Sequence, residues 1–157
     1  MSIVKNLEDF LKKNKVKYEA LAHSTIFTAQ QEAQAEHVSG KKVAKVVMVR
    51  AGDGYVMVVV PASNKVVLNR LKGLLDVKEV RLATEGEFKG LFPECELGAM
   101  PPFGNLYDLP VWVDSALSKS REIVFNAGTH RESIKMAYAD YEKLIQPRVG
   151  EFSEIAG

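Results

Sequence analysis

The sequence predicts an α+β fold: β-branched runs cluster in hairpins, amphipathic helical stretches lie between them, and the two never settle into the strict alternation of a doubly wound sheet. The chain has 157 residues, 46% hydrophobic and 26% charged, with 21 basic against 20 acidic side chains. Such a composition fits one soluble globular domain over residues 1–157 and excludes disordered, collagenous and coiled-coil classes. A chain of this length buries about 68 to 70% of its unfolded surface, so its core needs no metal or disulfide.

Ile3, Leu7, Phe10 and Leu11 recur at helical spacing, Lys5, Lys12 and Lys13 stand between them, and Asn14 reads as the stop. Val16 to Ala20 reads as extended. Thr28 and Gln31 form a capping box that opens an Ala-rich helix ending before Gly40. Val43 to Arg50 and Tyr55 to Val60 are strands joined by the turn signal Ala51-Gly52-Asp53-Gly54. Val66, Val67, Leu68, Leu71, Leu74 and Leu75 mark a helix, and Val77 to Leu82 a strand. Thr84 and Glu87 form a second capping box, opening a short helix that Pro93 must end. Gly98 to Gly104 holds too much Pro and Gly for a regular element. Short strands are expected near Val111 to Val113, Glu122 to Asn126 and Ser133 to Ala137, with Asp140 capping a last helix, Tyr141 to Ile145.

Several function classes fall away. The longest apolar stretch, near Val56 to Ala62, is far short of the roughly 18 to 20 residues that span a bilayer. Met1 to Lys17 carries lysines throughout and lacks the apolar centre of a signal peptide, so a cytoplasmic protein is expected. The single cysteine, Cys95, can form no internal bridge, and Glu94 and Glu96 beside it disfavour a thiolate, so it reads as structural. His23 and His37 lack partners at metal-ligand spacing, and no phosphate-loop, serine-triad or zinc motif occurs, so neither metal nor cofactor is expected. A net charge of +1 argues against wrapping long nucleic acid but allows contact with a nucleic-acid end. A monomer is expected.

Three segments carry chemistry. Lys45 sits in Val43-Ala44-Lys45-Val46-Val47-Met48-Val49, apolar in both alternating sets, so the strand should be buried on both faces. A lysine there needs a partner for its ammonium, the plainer reading being a snorkelling side chain near the strand start. Gly98-Ala99-Met100-Pro101-Pro102-Phe103-Gly104 is a rigid loop able to aim main-chain N–H groups at a carbonyl or phosphate, or else simply a rigid connection. Asn126-Ala127-Gly128-Thr129-His130 ends a strand in a glycine turn carrying an imidazole and a hydroxyl, or else is a capped turn with an exposed histidine.

Together, Lys45 in its valine-rich strand, Val60-Pro61-Ala62, Gly98-Ala99-Met100-Pro101-Pro102 and Asn126-Ala127-Gly128-Thr129-His130 resemble the YbaK family, also called the prolyl-tRNA synthetase associated, or insertion-like, editing domain. The resemblance runs from the first helix to about Ile145. It implies a strongly bent mixed sheet approaching a barrel, surrounded by helices, and hydrolysis in trans of the ester between a wrong amino acid and tRNA, commonly proline tRNA. Residue by residue, it implies that Lys45 is the essential lysine that helps place the ester, and that Gly98, Ala99, Met100, Pro101 and Pro102 hold the substrate. His130 takes the G-x-H position, with Gly128 and Thr129 beside it. The Gly128-Thr129-His130 form is closest to the branch that removes alanine from proline tRNA. Implied partners are the proline tRNA acceptor end and prolyl-tRNA synthetase; no cofactor is implied.

With no protein nucleophile visible, the expected chemistry is direct attack by water. The Gly98 to Met100 amides and the Lys45 ammonium would bind the ester oxygens, while His130 and Thr129 orient the amino acid or the terminal ribose. Small amino acids such as alanine or cysteine are the expected cargo, with Pro101 and Pro102 as the device that rejects prolyl ester. Two other readings stay open: a non-catalytic module gripping the acceptor end through Lys45 and the clusters Lys41-Lys42 and Lys12-Lys13-Lys15, and a hydrolase of small acyl esters or amides.

Overall fold

The computed structural model of the chain describes residues 5–22, 43–96 and 98–156. The capping box at Thr28 and Gln31 with its Ala-rich helix, and His23, His37 and Lys41-Lys42, lie outside the described residues. Helix α1 (Lys5–Lys13) buries Leu7 and Leu11 and stops where expected, the Asn14 N–H and side-chain amide both donating to the Phe10 carbonyl. Strand β1 (Tyr18–Ala22) follows. The hairpin is as the sequence predicts: β2 (Ala44–Ala51) pairs antiparallel with β3 (Gly54–Pro61), and Gly52 enters the turn at φ 59, where a side chain would be strained.

Beyond the hairpin come β4 (Asn64–Val66), α2 (Leu68–Leu75), β5 (Val80–Leu82) and α3 (Glu85–Phe88), the last running on into a 3-10 turn, Lys89–Leu91. A second 3-10 turn, Gly104–Tyr107, precedes β6 (Val111–Asp114), α4 (Ser115–Ser118), β7 (Glu122–Thr129), β8 (Glu132–Ala137), α5 (Tyr138–Ile145), β9 (Arg148–Gly150) and β10 (Ser153–Ile155). One sheet has the order β5-β2-β3-β6-β9 and is mixed, since β6 runs parallel to both β3 and β9. A second, antiparallel sheet has the order β1-β8-β7, and β10 pairs with β4. A parallel bridge between Val43 and Val124 links the first two sheets, and they do not close into a barrel. The architecture is the expected α+β mixed-sheet fold.

Alternation along the hairpin divides the interior. Val46, Met48, Met57 and Val59 face the main core with Leu7, Leu11, Phe103, Phe125, Ile134 and Tyr141. Val49, Val56, Val58 and Val60 face the other way, onto Leu71 of α2 and Phe152. At the bridge, Val43, Ala62 and Val124 form a third cluster with Leu21 against it. Phe103 is the hub of the main core, its ring centroid 6.0 Å from Phe10 and 5.4 Å from both Phe125 and Tyr141.

Several boundaries differ from expectation. Val66 pairs with Ser153 in the β4–β10 ladder, so the helix begins only at Leu68. The strand expected from Val77 starts at Val80, because Asp76 at φ 53 and Val77, whose N–H donates to the Lys72 carbonyl, are spent closing α2. Asp140 does not cap α5: the helix starts at Tyr138 with Ala137 at its N-cap, and Asp140 lies in the first turn, where a carboxylate suits the helix dipole. Helix α4 was not expected. Asp114 caps it, accepting from the Ala116 N–H at 3.0 Å while its other oxygen accepts from the Phe152 N–H at 2.9 Å. The Thr84–Glu87 box forms as expected, Thr84 Oγ1 accepting from the Glu87 N–H at 3.3 Å and the Glu87 carboxylate from the Thr84 N–H at 3.0 Å. No helix among the described residues is long and apolar enough to cross a membrane.

The proline-rich loop is tied to this core by Tyr141, wholly buried, whose hydroxyl donates to the Pro102 carbonyl at 2.6 Å. Tyr141→Phe strands that carbonyl, and we expect a loss of about 1 to 3 kcal/mol, read as a lower urea midpoint at unchanged slope.

Candidate active site

The site forms where β7 ends. Pairing of β7 with β8 is regular from Glu122 opposite Ala137 to Asn126 opposite Ser133, then shifts so that Thr129 faces Glu132. Ala127 and Gly128 therefore bulge, and Gly128 adopts φ 98, a conformation open to glycine and strained for any side chain. The bulge turns toward the loop before Gly98. The Gly128 N–H donates to the Ala99 carbonyl at 2.9 Å, the Glu96 N–H donates to the Gly128 carbonyl at 2.8 Å, and the His130 N–H donates to the Glu96 carboxylate at 2.7 Å.

These bonds bring two of the three sequence motifs together. Gly98, at φ 84, lies so close to the imidazole that a Cβ on it would stand 3.4 Å from His130 Cε1 and 3.6 Å from Nε2. The Ala99 N–H is committed to the Glu96 carbonyl at 3.0 Å, and the Gly98 and Met100 amides meet no acceptor among the described residues. Gly98 is exposed, whereas Ala99, Met100, Pro101 and Pro102 are buried, with Met100 packed in the main core. The loop thus offers backbone outward and side chains inward. Thr129 is buried too, and its Oγ1 accepts from the Arg131 N–H at 3.3 Å, which gives the turn part of the capped character that the plainer sequence reading describes.

Lys45 joins through the bridge. From Val43 and Val124 the strands β2 and β7 leave in the same direction, so Lys45 and Asn126, each two residues on, fall on the face that carries Val43 and Val124. Ser133 stands opposite Asn126, and Leu21 opposite Ser133. Lys45 faces Val60 across the hairpin, at the seam between two apolar clusters, and is half-buried. Burial lowers its pKa from the ordinary lysine value, and no carboxylate among the described residues pairs with it. A cation held this way suits a carbonyl oxygen or an anion arriving from outside.

Sequence reasoning missed Asn126 as a partner of this face and read Glu96 only as a charge beside Cys95. The cysteine is structural in its surroundings: half-buried, with Sγ 3.4 Å from the Tyr107 hydroxyl. Burial is the main cause that pushes its thiol pKa up, Glu94 adds to it, and the Tyr107 hydrogen bond opposes it. Among the described residues no group of three His, Cys, Asp or Glu side chains is placed to hold a metal.

Because the folded state binds the Lys45 proton less tightly than the unfolded chain, the destabilisation from burying this cation is full below the folded pKa. It fades as pH rises from there toward the ordinary value of 10.5. Lys45→Met should therefore unfold at a higher urea midpoint than the wild type near neutral pH, with the gap narrowing as pH rises. A gap that is absent, or that widens with pH, counts against a buried, unanswered cation.

The family model of the aminoacyl-tRNA editing domain matches residues 23–144. Two curated relatives, from Escherichia coli strain K12 and Escherichia coli O157:H7, are each named multifunctional Ser/Thr-tRNA deacylase ProXp-y. Each is 30% identical over 103 residues, 65% of this chain and 61% of theirs, so the chain spans about three fifths of their length. Two crystal structures share the fold. One, of a hypothetical protein, has a TM-score of 0.86 at 21% identity and covers 96% of this chain and 100% of that one. The other, of a candidate trans-editing enzyme for prolyl tRNA synthetase, has a TM-score of 0.81 at 24% identity and covers 96% of each chain. With the match over residues 23–144 and the mixed-sheet fold on the same footing, the chain belongs to the aminoacyl-tRNA editing domain family.

Proposed function

We propose that this chain is an aminoacyl-tRNA deacylase that acts in trans on a small amino acid, alanine or cysteine, mischarged on proline tRNA. The observation that supports it most is the gathering, at the end of β7, of exposed Gly98 backbone, the His130 imidazole and the face of Lys45, a cation without an anion among the described residues. Residues 1–157 act as one unit, a cytoplasmic monomer working at the acceptor end of the tRNA and beside prolyl-tRNA synthetase.

Water attacks the ester carbonyl carbon, and negative charge develops on the carbonyl oxygen. The Gly98 and Met100 amides and the Lys45 ammonium stabilise that charge, and His130 orients the amino acid or the terminal ribose. The C–O bond to the ribose then breaks, the carboxyl product keeps the water oxygen, and a proton from that water passes to the departing ribose oxygen. A site of this kind selects by size, since one methylene discriminates by only about 1 to 3 kcal/mol. A second reading, serine or threonine as the cargo, is favoured by the name of the curated relatives.

Multiple-turnover deacylation of alanyl, cysteinyl, seryl, threonyl and prolyl esters on proline tRNA tests both. We expect rapid loss of one small amino acid with prolyl ester spared. Lys45→Ala should lower kcat by about 100- to 1000-fold and His130→Ala by less. Full activity in Lys45→Ala contradicts the assigned role. Protection of the ester without turnover indicates a binding module, and equal rates on free aminoacyl esters indicate a general small-ester hydrolase.

A further inference from the structure

Among the described residues Glu96 makes three hydrogen bonds, all to residues of the candidate site. Its N–H donates to the Gly128 carbonyl at 2.8 Å, its carbonyl accepts from the Ala99 N–H at 3.0 Å, and its carboxylate accepts from the His130 N–H at 2.7 Å. Any residue except proline could make the first two at this position. Only a side-chain acceptor of this reach makes the third, which ties segments 34 residues apart in sequence.

The site gains from such a tie. Gly98 and Gly128 sit at φ 84 and 98, and glycine leaves these conformations as freely as it enters them. Two backbone hydrogen bonds already join loop and bulge, Glu96 N–H to the Gly128 carbonyl and Gly128 N–H to the Ala99 carbonyl, and a further bond beyond the bulge fixes the turn that follows. The Glu96 carboxylate supplies that bond at His130, the residue whose imidazole lies against Gly98.

On the reading of this site as one that hydrolyses an aminoacyl ester, we infer that Glu96 is a positioning residue: without touching substrate, its carboxylate holds His130 in register with the Gly98 backbone. The bond needs an acceptor and not a charge, so glutamine should replace it and alanine should not. An error of 1 Å in placement costs on the order of 100-fold in rate.

The test uses the ester that the wild type hydrolyses fastest, at a temperature where circular dichroism shows wild type, Glu96→Ala and Glu96→Gln all folded. For Glu96→Ala we expect kcat to fall by about 10- to 100-fold with KM within about twofold, and for Glu96→Gln recovery to within about threefold of wild type. Amide hydrogen exchange at His130 should quicken in Glu96→Ala and stay slow in Glu96→Gln. Wild-type kcat in Glu96→Ala, unchanged His130 exchange in that variant, or a glutamine variant as poor as alanine overturns the inference while leaving the editing reading intact. A wild type that turns over none of the esters removes the editing reading and this inference with it.

Discussion

The end of β7 is held from three sides, and the arrangement of the site depends on it. On one side β8 pairs with it up to Asn126; on another, Val124 meets Val43 and so sets where β2 and its lysine run; at the tip, the bulge at Gly128 exchanges hydrogen bonds with Glu96 and Ala99. None of these elements would hold the geometry alone. A single bridge is a weak link between sheets, and a glycine bulge is soft. They are stiffened by what lies beneath: Phe103 packs edge-on against Phe10 and Tyr141 and tilted against Phe125, contacts that each contribute about 0.5 to 1.5 kcal/mol beyond burial. Since Phe103 and Pro102 belong to the same loop, the core that stabilises the fold also sets the position of the Gly98 backbone.

Lys45 shows the opposite economy. The hairpin around it is rich in valine and methionine, residues that stabilise by burial, and Lys45, a cation set between Ala44 and Val46, lowers stability for want of an anion in the described residues. Such a residue is expected where electrostatics serve a ligand more than the fold. An ester oxygen gaining negative charge would answer the ammonium in the transition state and leave it unanswered beforehand, which is the difference that lowers a barrier.

Much of this was legible in the sequence where the signal is local. The hairpin could be read because β-branched alternation and Gly52 act within a few residues, and the Thr84–Glu87 box because both partners lie on one turn. Lys45 stood out because a cation in an apolar run is a local contradiction. What escaped depends on distance along the chain. Asp114 caps α4 but also accepts from Phe152, 38 residues away, and Val66 is drawn into a strand by Ser153 rather than by its neighbours. Glu96 looked like a neighbour of Cys95, yet its carboxylate serves His130. Pro101 and Pro102 announced rigidity, but only the fold reveals that they are buried while Gly98 faces outward.

The central claim is that Lys45, Gly98 and His130 surround one aminoacyl ester. It is tested most directly by titrating the isotope-labelled protein with an adenosine carrying a small amino acid through a non-hydrolysable amide bond in place of the ester, and following backbone amide and lysine side-chain resonances. Changes centred on Lys45, Gly98, Met100 and Gly128 to His130 are the expected result. Changes centred elsewhere, such as the cleft between α2 and β5 lined by Asn69, Lys72 and Lys78, with these residues undisturbed, would contradict it.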